Sequence, residues 1–167
     1  MDFILIYGII KIILIATTPL VFASIGELVT EKSGVLNLGV EGMMLVGAVT
    51  AFVTLVITGS YILAFTFSIL SGVIMSSLFA FLVLILMSNQ IATGLALTIF
   101  GIGLSSMIGK NYIGTPIEGL TPWAFVVFSF FIVLLVSYFF YKTKSGLILR
   151  AVGESHNSAH ALGYSVL

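Results

Sequence analysis

The sequence predicts an all-α, polytopic transmembrane helical bundle, and two observations lead there. Hydrophobic residues make up 60% of the chain and charged residues 7%, against about 25% charged in soluble domains. A soluble domain keeps so much of its surface wet that it could not hide this apolar excess. From Gly42 to Gly109 there is no Asp, Glu, Lys, Arg or His, a run several times longer than the roughly 18 apolar residues that suggest one span. The alternation of apolar and polar residues that marks a transmembrane barrel is missing. Net charge is zero, so nothing points to nucleic acid, and the lack of cysteine excludes disulfides and thiolate chemistry.

Five apolar segments follow, each long enough for a hydrocarbon core about 30 Å thick. The first runs from about Phe3 to Leu28 and carries Lys11 and Pro19. Its start has no basic region and no small-residue cleavage site, so it reads as a retained span rather than a signal peptide. The second covers Val35–Ile57 and ends at Gly59-Ser60, and the third covers Tyr61–Met87 and ends at Ser88-Asn89-Gln90. The fourth covers Ile91–Ile108, where Gly94, Gly101 and Gly103 with Thr93, Thr98 and Ser105 describe a small-residue face for close helix contact. Asn89 and Gln90 are expected to cap or line a turn. A polar, turn-rich stretch over 109–122 precedes the fifth, Trp123–Tyr141, bracketed by interfacial aromatics. The expected organisation is a transmembrane region over 1–141 and a cytoplasmic loop over 142–167. Lys142, Lys144 and Arg150 are half of the six basic residues and place the tail in the cytoplasm. Five crossings put the N-terminus outside; a break within 27–41 or a re-entrant first segment would change that parity.

The join between the first two segments is polar. Glu31-Lys32-Ser33-Gly34 reads as a turn between spans. Glu41 is harder to place, because a carboxylate deep in the bilayer costs a few kcal/mol. Either it snorkels to the interface or pairs with Lys32, or it and Asn37 hold a helix break beside a pathway, with Gly34, Gly39 and Gly42 allowing the backbone to bend or approach a neighbour.

In the tail, Ser155 can cap a short helix over His156–Leu162, with Gly163 at the C′ position. Seven residues are too few to be helical alone, so this piece needs a surface. It carries no Lys or Arg, which favours a soluble partner over a lipid surface, with Arg150 and Glu154 as flanking charges. His156 and His160 have the i, i+4 spacing of a metal pair, yet Glu154 is the sole third ligand nearby, and no metal or cofactor is expected. Glu27 and Glu41 are the main intramembrane acids and no nucleophile–base pair suggests itself, so no catalysis is expected. A small self-associating channel or scaffold, built through the small-residue faces, is the alternative to a transport subunit.

Two stretches carry a resemblance. "GELVTEKSGVLNLGVEGMMLVGA" places Glu31, Gly34, Val35, Asn37, Gly39, Glu41, Gly42, Met44, Gly47 and Ala48 on a pattern that resembles the permease subunits of ABC importers for nucleosides and simple sugars, in the branched-chain amino acid and ribose-type superfamily. "TKSGLILRAVGESHNSAHALGYSV" is similar to that family's cytoplasmic loop, through Thr143, Gly146, Arg150, Ala151, Val152, Gly153, Glu154, Ala159 and Gly163, with Ser155-His156 in place of the usual Asn-Pro. The resemblance implies a multi-pass subunit of a prokaryotic plasma (inner) membrane. Its loop residues Gly146, Arg150, Ala151, Gly153, Glu154, Ala159 and Gly163 would meet a separate ATP-binding subunit, which hydrolyses the ATP. A substrate-binding lipoprotein or periplasmic protein would deliver cargo. The likeness corresponds to an N-terminal half, so a second permease subunit or a C-terminal half is expected as a further partner.

Overall fold

The computed structural model describes residues 2–117, 119–120, 122–155, 159–160 and 163. The order of elements is α1 (Asp2–Lys32), α2 (Val40–Thr58), α3 (Tyr61–Ala80) continuing as a π-helical turn (Phe81–Ile85), α4 (Gln90–Gly109) closed by a 3₁₀ turn (Lys110–Tyr112), α5 (Pro122–Lys142) and α6 (Lys144–Glu154). There is no strand among the described residues. Five helices are long and apolar enough to cross a membrane, and at most 22% of any such span is buried within the protein. Outward side chains such as Phe3, Ile62 and Leu134 are largely exposed. Five spans this apolar suit lipid or further membrane helices rather than water, and in a membrane every backbone group must be satisfied internally, as helices do. The chain is a multi-pass membrane protein.

Helix boundaries follow local chemistry. α1 runs past Leu28 to Lys32, with the Thr30 hydroxyl bonded back to the Glu27 carbonyl at 2.8 Å. Pro19 removes one backbone donor inside it. α2 ends at Gly59 in the left-handed region, φ 65°, as the Gly59-Ser60 signal requires. At the end of α3 the ladder widens into the π-turn, Ser88 folds its N–H and hydroxyl onto the Leu82 carbonyl, and Asn89 caps α4 by accepting from the Ala92 N–H at 3.1 Å.

Two compact units result, Met1–Val35 with Gly119–Leu167, and Leu36–Glu118. In the first, α1 lies along α5. Thr18 and Ser129 are buried, the Phe22 and Phe128 rings stand 6.0 Å apart, and α6 crosses the helix ends. In the second, α2 packs on both α3 and α4 around Val46, Val49, Met75, Phe79 and Leu97. The Ser68 hydroxyl donates to the Gly47 carbonyl at 2.9 Å, tying α3 to α2.

α6 is a helix where the sequence suggests a loop. Its eleven residues carry Gly146 and Gly153, which weaken its own tendency to be helical. The order comes from docking on α1 and α5, as short helices require.

Candidate functional site

The first candidate region is the break between α1 and α2. Gly34, at φ 88°, ends α1. The Val35 N–H reaches the Thr30 carbonyl at 3.0 Å and the Gly34 N–H reaches that of Glu31 at 3.0 Å, the paired bonds of a Schellman cap. Gly34 therefore has a capping task that a Cβ would oppose. α2 begins at Val40, not at Val35 as the apolar run suggests, because residues 35–39 leave the helix.

Unpaired backbone groups are costly inside a membrane, and the break answers this with side chains from itself and from α4. The Asn37 side chain, 6% exposed, accepts from the Gly39 N–H at 2.9 Å, and its amide lies 3.7 Å from the Met43 sulfur. Gln90 accepts from the Leu36 N–H at 2.8 Å, and the Thr98 hydroxyl donates to the Leu38 carbonyl at 2.8 Å. Gln90 was expected only at a turn and Thr98 only in helix packing. The signal that marks them is a side chain able to bond backbone next to a segment with none of its own.

Glycines let α4 come this close. A Cβ on Gly42 would stand 2.5 Å from the Leu97 carbonyl oxygen, and one on Gly101 would stand 2.5 Å from the Gly42 Cα. A Cβ on Gly94 would meet the Leu38 nitrogen at 2.8 Å, and one on Gly39 would meet the Gly94 oxygen at 3.3 Å. Gly39 and Gly42 thus face Gly94 and Gly101 backbone to backbone, the small-residue contact expected for the fourth segment. Gly103 has nothing near its missing Cβ and takes no part. Glu41 is exposed in the first turn of α2, where the helix dipole favours a carboxylate.

The second candidate region is α6. Thr143 joins it to α5: its hydroxyl donates to the Phe139 carbonyl at 2.6 Å and accepts from the Gly146 N–H at 3.1 Å. A Cβ on Gly146 would collide with the Phe139 carbonyl, and one on Gly153 with the Lys32 carbonyl and the Gly34 nitrogen. These two glycines, seven residues apart, seat α6 across the carboxyl ends of α5 and α1. Arg150 lies between them on the same face, with its guanidinium 5.1 Å from the centre of the Tyr141 ring. Leu147, Ala151 and Glu154 are exposed on a neighbouring face, about a quarter-turn or more around the helix. The proposed coupling residues therefore divide into an inward set, Gly146, Arg150 and Gly153, and an outward set, Ala151 and Glu154, joined by Leu147.

Beyond Ser155, only Ala159, His160 and Gly163 are described. Ala159 is 2% exposed and helical, its N–H bonded to the Ser155 carbonyl at 3.0 Å, and Gly163 has φ 85°. His156 lies outside the described residues, and among those described no three His, Asp or Glu gather as metal ligands would.

Residues 9–167 match the family model described as branched-chain amino acid transport system / permease component. Similar proteins include one named as a glucose ABC transporter permease, TsgC13, of Haloferax volcanii, at 36% identity over 90% of this chain and 53% of its own length. The nucleoside ABC transporter permease NupC of Lactococcus lactis is 29% identical over 92% of this chain and 58% of its own. The guanosine ABC transporter permease NupQ of Bacillus subtilis is 25% identical over 92% and 58%. The chain thus spans a little over half the length of these relatives, and no solved structure matches it. With the family model covering nearly every residue, the chain belongs to the family of branched-chain amino acid transport system permease components.

Proposed function

We propose that the chain is the N-terminal half of a permease in an ATP-driven importer of a prokaryotic plasma membrane, carrying a nucleoside or simple sugar and coupled through α6 and the residues after it to a separate ATP-hydrolysing subunit. The chain is not the enzyme; ATP is hydrolysed on that partner. A substrate-binding lipoprotein or periplasmic protein delivers the cargo, and a C-terminal half or second permease subunit completes the path. The names of the relatives support the cargo class, and the absence of Asp, Glu, Lys, Arg and His from Gly42 to Gly109 suits a neutral, hydroxyl-rich solute.

One observation carries the coupling role. α6 is seated by Gly146 and Gly153, while Leu147, Ala151 and Glu154 stand exposed on a neighbouring face. A helix fixed this way on the ends of α1 and α5 transmits a push on its outer face to both spans. Lys32, Lys142, Lys144 and Arg150 gather at those ends, which is the cytoplasmic side by the positive-inside rule. The test is Ala151→Trp with Glu154→Lys in the transporter expressed with its other subunits. Capture of the ATPase subunit is expected to fall by about tenfold or more, as loss of a central anchor does, while membrane insertion is unchanged. Undiminished capture overturns the assignment.

A further inference from the structure

Within the first unit, a cavity of ≈ 270 Å³ opens between the carboxyl-terminal turns of α1 and α5. Ile25 and Leu28 of α1 and Val133, Val136 and Phe140 of α5 form apolar walls. Lys32, Ser137, Tyr141 and Arg150 also line it. Lys32 is the last residue of α1, and Lys142, at the end of α5, follows Tyr141 directly. Basic residues at the ends of apolar spans favour the level of lipid headgroups. Among the described residues neither Lys32 nor Arg150 is engaged by a carboxylate, and Arg150 rests on the Tyr141 ring.

We propose that this cavity binds an anionic phospholipid of the cytoplasmic leaflet, with its phosphate between Lys32 and Arg150 and an acyl chain along the apolar walls. Three features select that occupant. The walls are hydrocarbon, so a free polar anion gains nothing from most of the site. The two cations stand at one end of an apolar trough, as a headgroup stands over its chain, and basic pockets between transmembrane helices at this level are the setting in which anionic headgroups are recognised. The carbonyl ends of α1 and α5 repel an anion, so the two cations must supply the attraction, and their loss must be felt. The inference rests on the membrane reading of α1 and α5 and is independent of ATPase coupling.

The test uses the purified transporter, with phosphatidylglycerol titrated against phosphatidylcholine in detergent and bound lipid read by native mass spectrometry. Wild-type protein is expected to prefer phosphatidylglycerol. Lys32→Gln with Arg150→Gln is expected to lower that preference roughly 30-fold, at about 1 kcal/mol per basic side chain. Lys142→Gln with Lys144→Gln, changed outside the cavity, is expected to leave it nearly intact. If the double glutamine variant does not insert, Val136→Trp, which fills the cavity and keeps both charges, decides: lost preference supports the site and retained preference overturns it. The proposal is also overturned if wild-type protein does not discriminate, if the two pairs of variants fall together, or if inorganic phosphate displaces the lipid. These readouts do not involve the ATPase subunit, so failure here and failure of the coupling role are separate results.

Discussion

Replacing Gly42 or Gly101 with alanine tests the backbone contact that closes the second unit. The new methyl carbon on residue 42 would lie 2.5 Å from the Leu97 oxygen and 2.7 Å from the Thr98 Cα, and that on residue 101 would lie 2.5 Å from Gly42 backbone. The obstacles are backbone atoms, so no rotamer change relieves them. Carbon–carbon contacts are comfortable at about 3.5–4.0 Å, so α2 and α4 must part by roughly 1 Å. Overpacking of this kind costs about 1–3 kcal/mol. At about 2–4 °C per kcal/mol for a chain of this size, the thermal midpoint in detergent falls by roughly 2–12 °C. Separation also stretches the Thr98 bond to Leu38 at 2.8 Å, which pushes the loss toward the upper end. Gly103→Ala is the internal control, since open space surrounds that position and alanine is the better helix former. Midpoints are read by the fraction of monodisperse protein surviving a heating series. If Gly42→Ala and Gly101→Ala are as stable as Gly103→Ala, the close approach of α2 and α4 is wrong.

Two further outcomes follow from the hydrogen bonds. Asn37→Leu leaves the Gly39 N–H without the acceptor it now has at 2.9 Å. It should destabilise by about 1–3 kcal/mol, with protease sensitivity rising in the 33–39 segment, whereas Asn37→Asp keeps an acceptor and should lose less in the same assay. Thr143→Ala removes both the α6 cap and the tie to Phe139; a loss of about 0.5–2 kcal/mol is expected, concentrated in α6, and amide exchange across Lys144–Glu154 should quicken while α5 stays protected.

Particular residues show how far the sequence could be read. Gly59-Ser60 and Asn89 were legible because turn and cap chemistry is local: the left-handed φ of 65° and the cap to Ala92 involve residues next to each other. The Gly34–Gly42 stretch was legible as a break but not in its workings. Gly34 closes α1 and Gly39 and Gly42 meet α4, two tasks that look alike in sequence. Gln90 and Thr98 went unrecognised because their partners lie 54 and 60 residues away. α6 was missed because its stability comes from the surface beneath it, and Arg150, grouped with Glu154 as a flanking charge, turns inward to Tyr141 while Glu154 turns outward.

Sequence by itself determined the class of protein, the five spans and the basic end, because the length of an apolar run measured against a bilayer is a one-dimensional quantity. Tertiary structure alone decided which glycines meet which backbone, which α4 side chains satisfy the break, and which face of α6 is free. Inside a membrane the helices gain little from burying oil against oil, so close backbone approach and long-range hydrogen bonds choose the arrangement, and both are properties of residues brought together from distant parts of the chain.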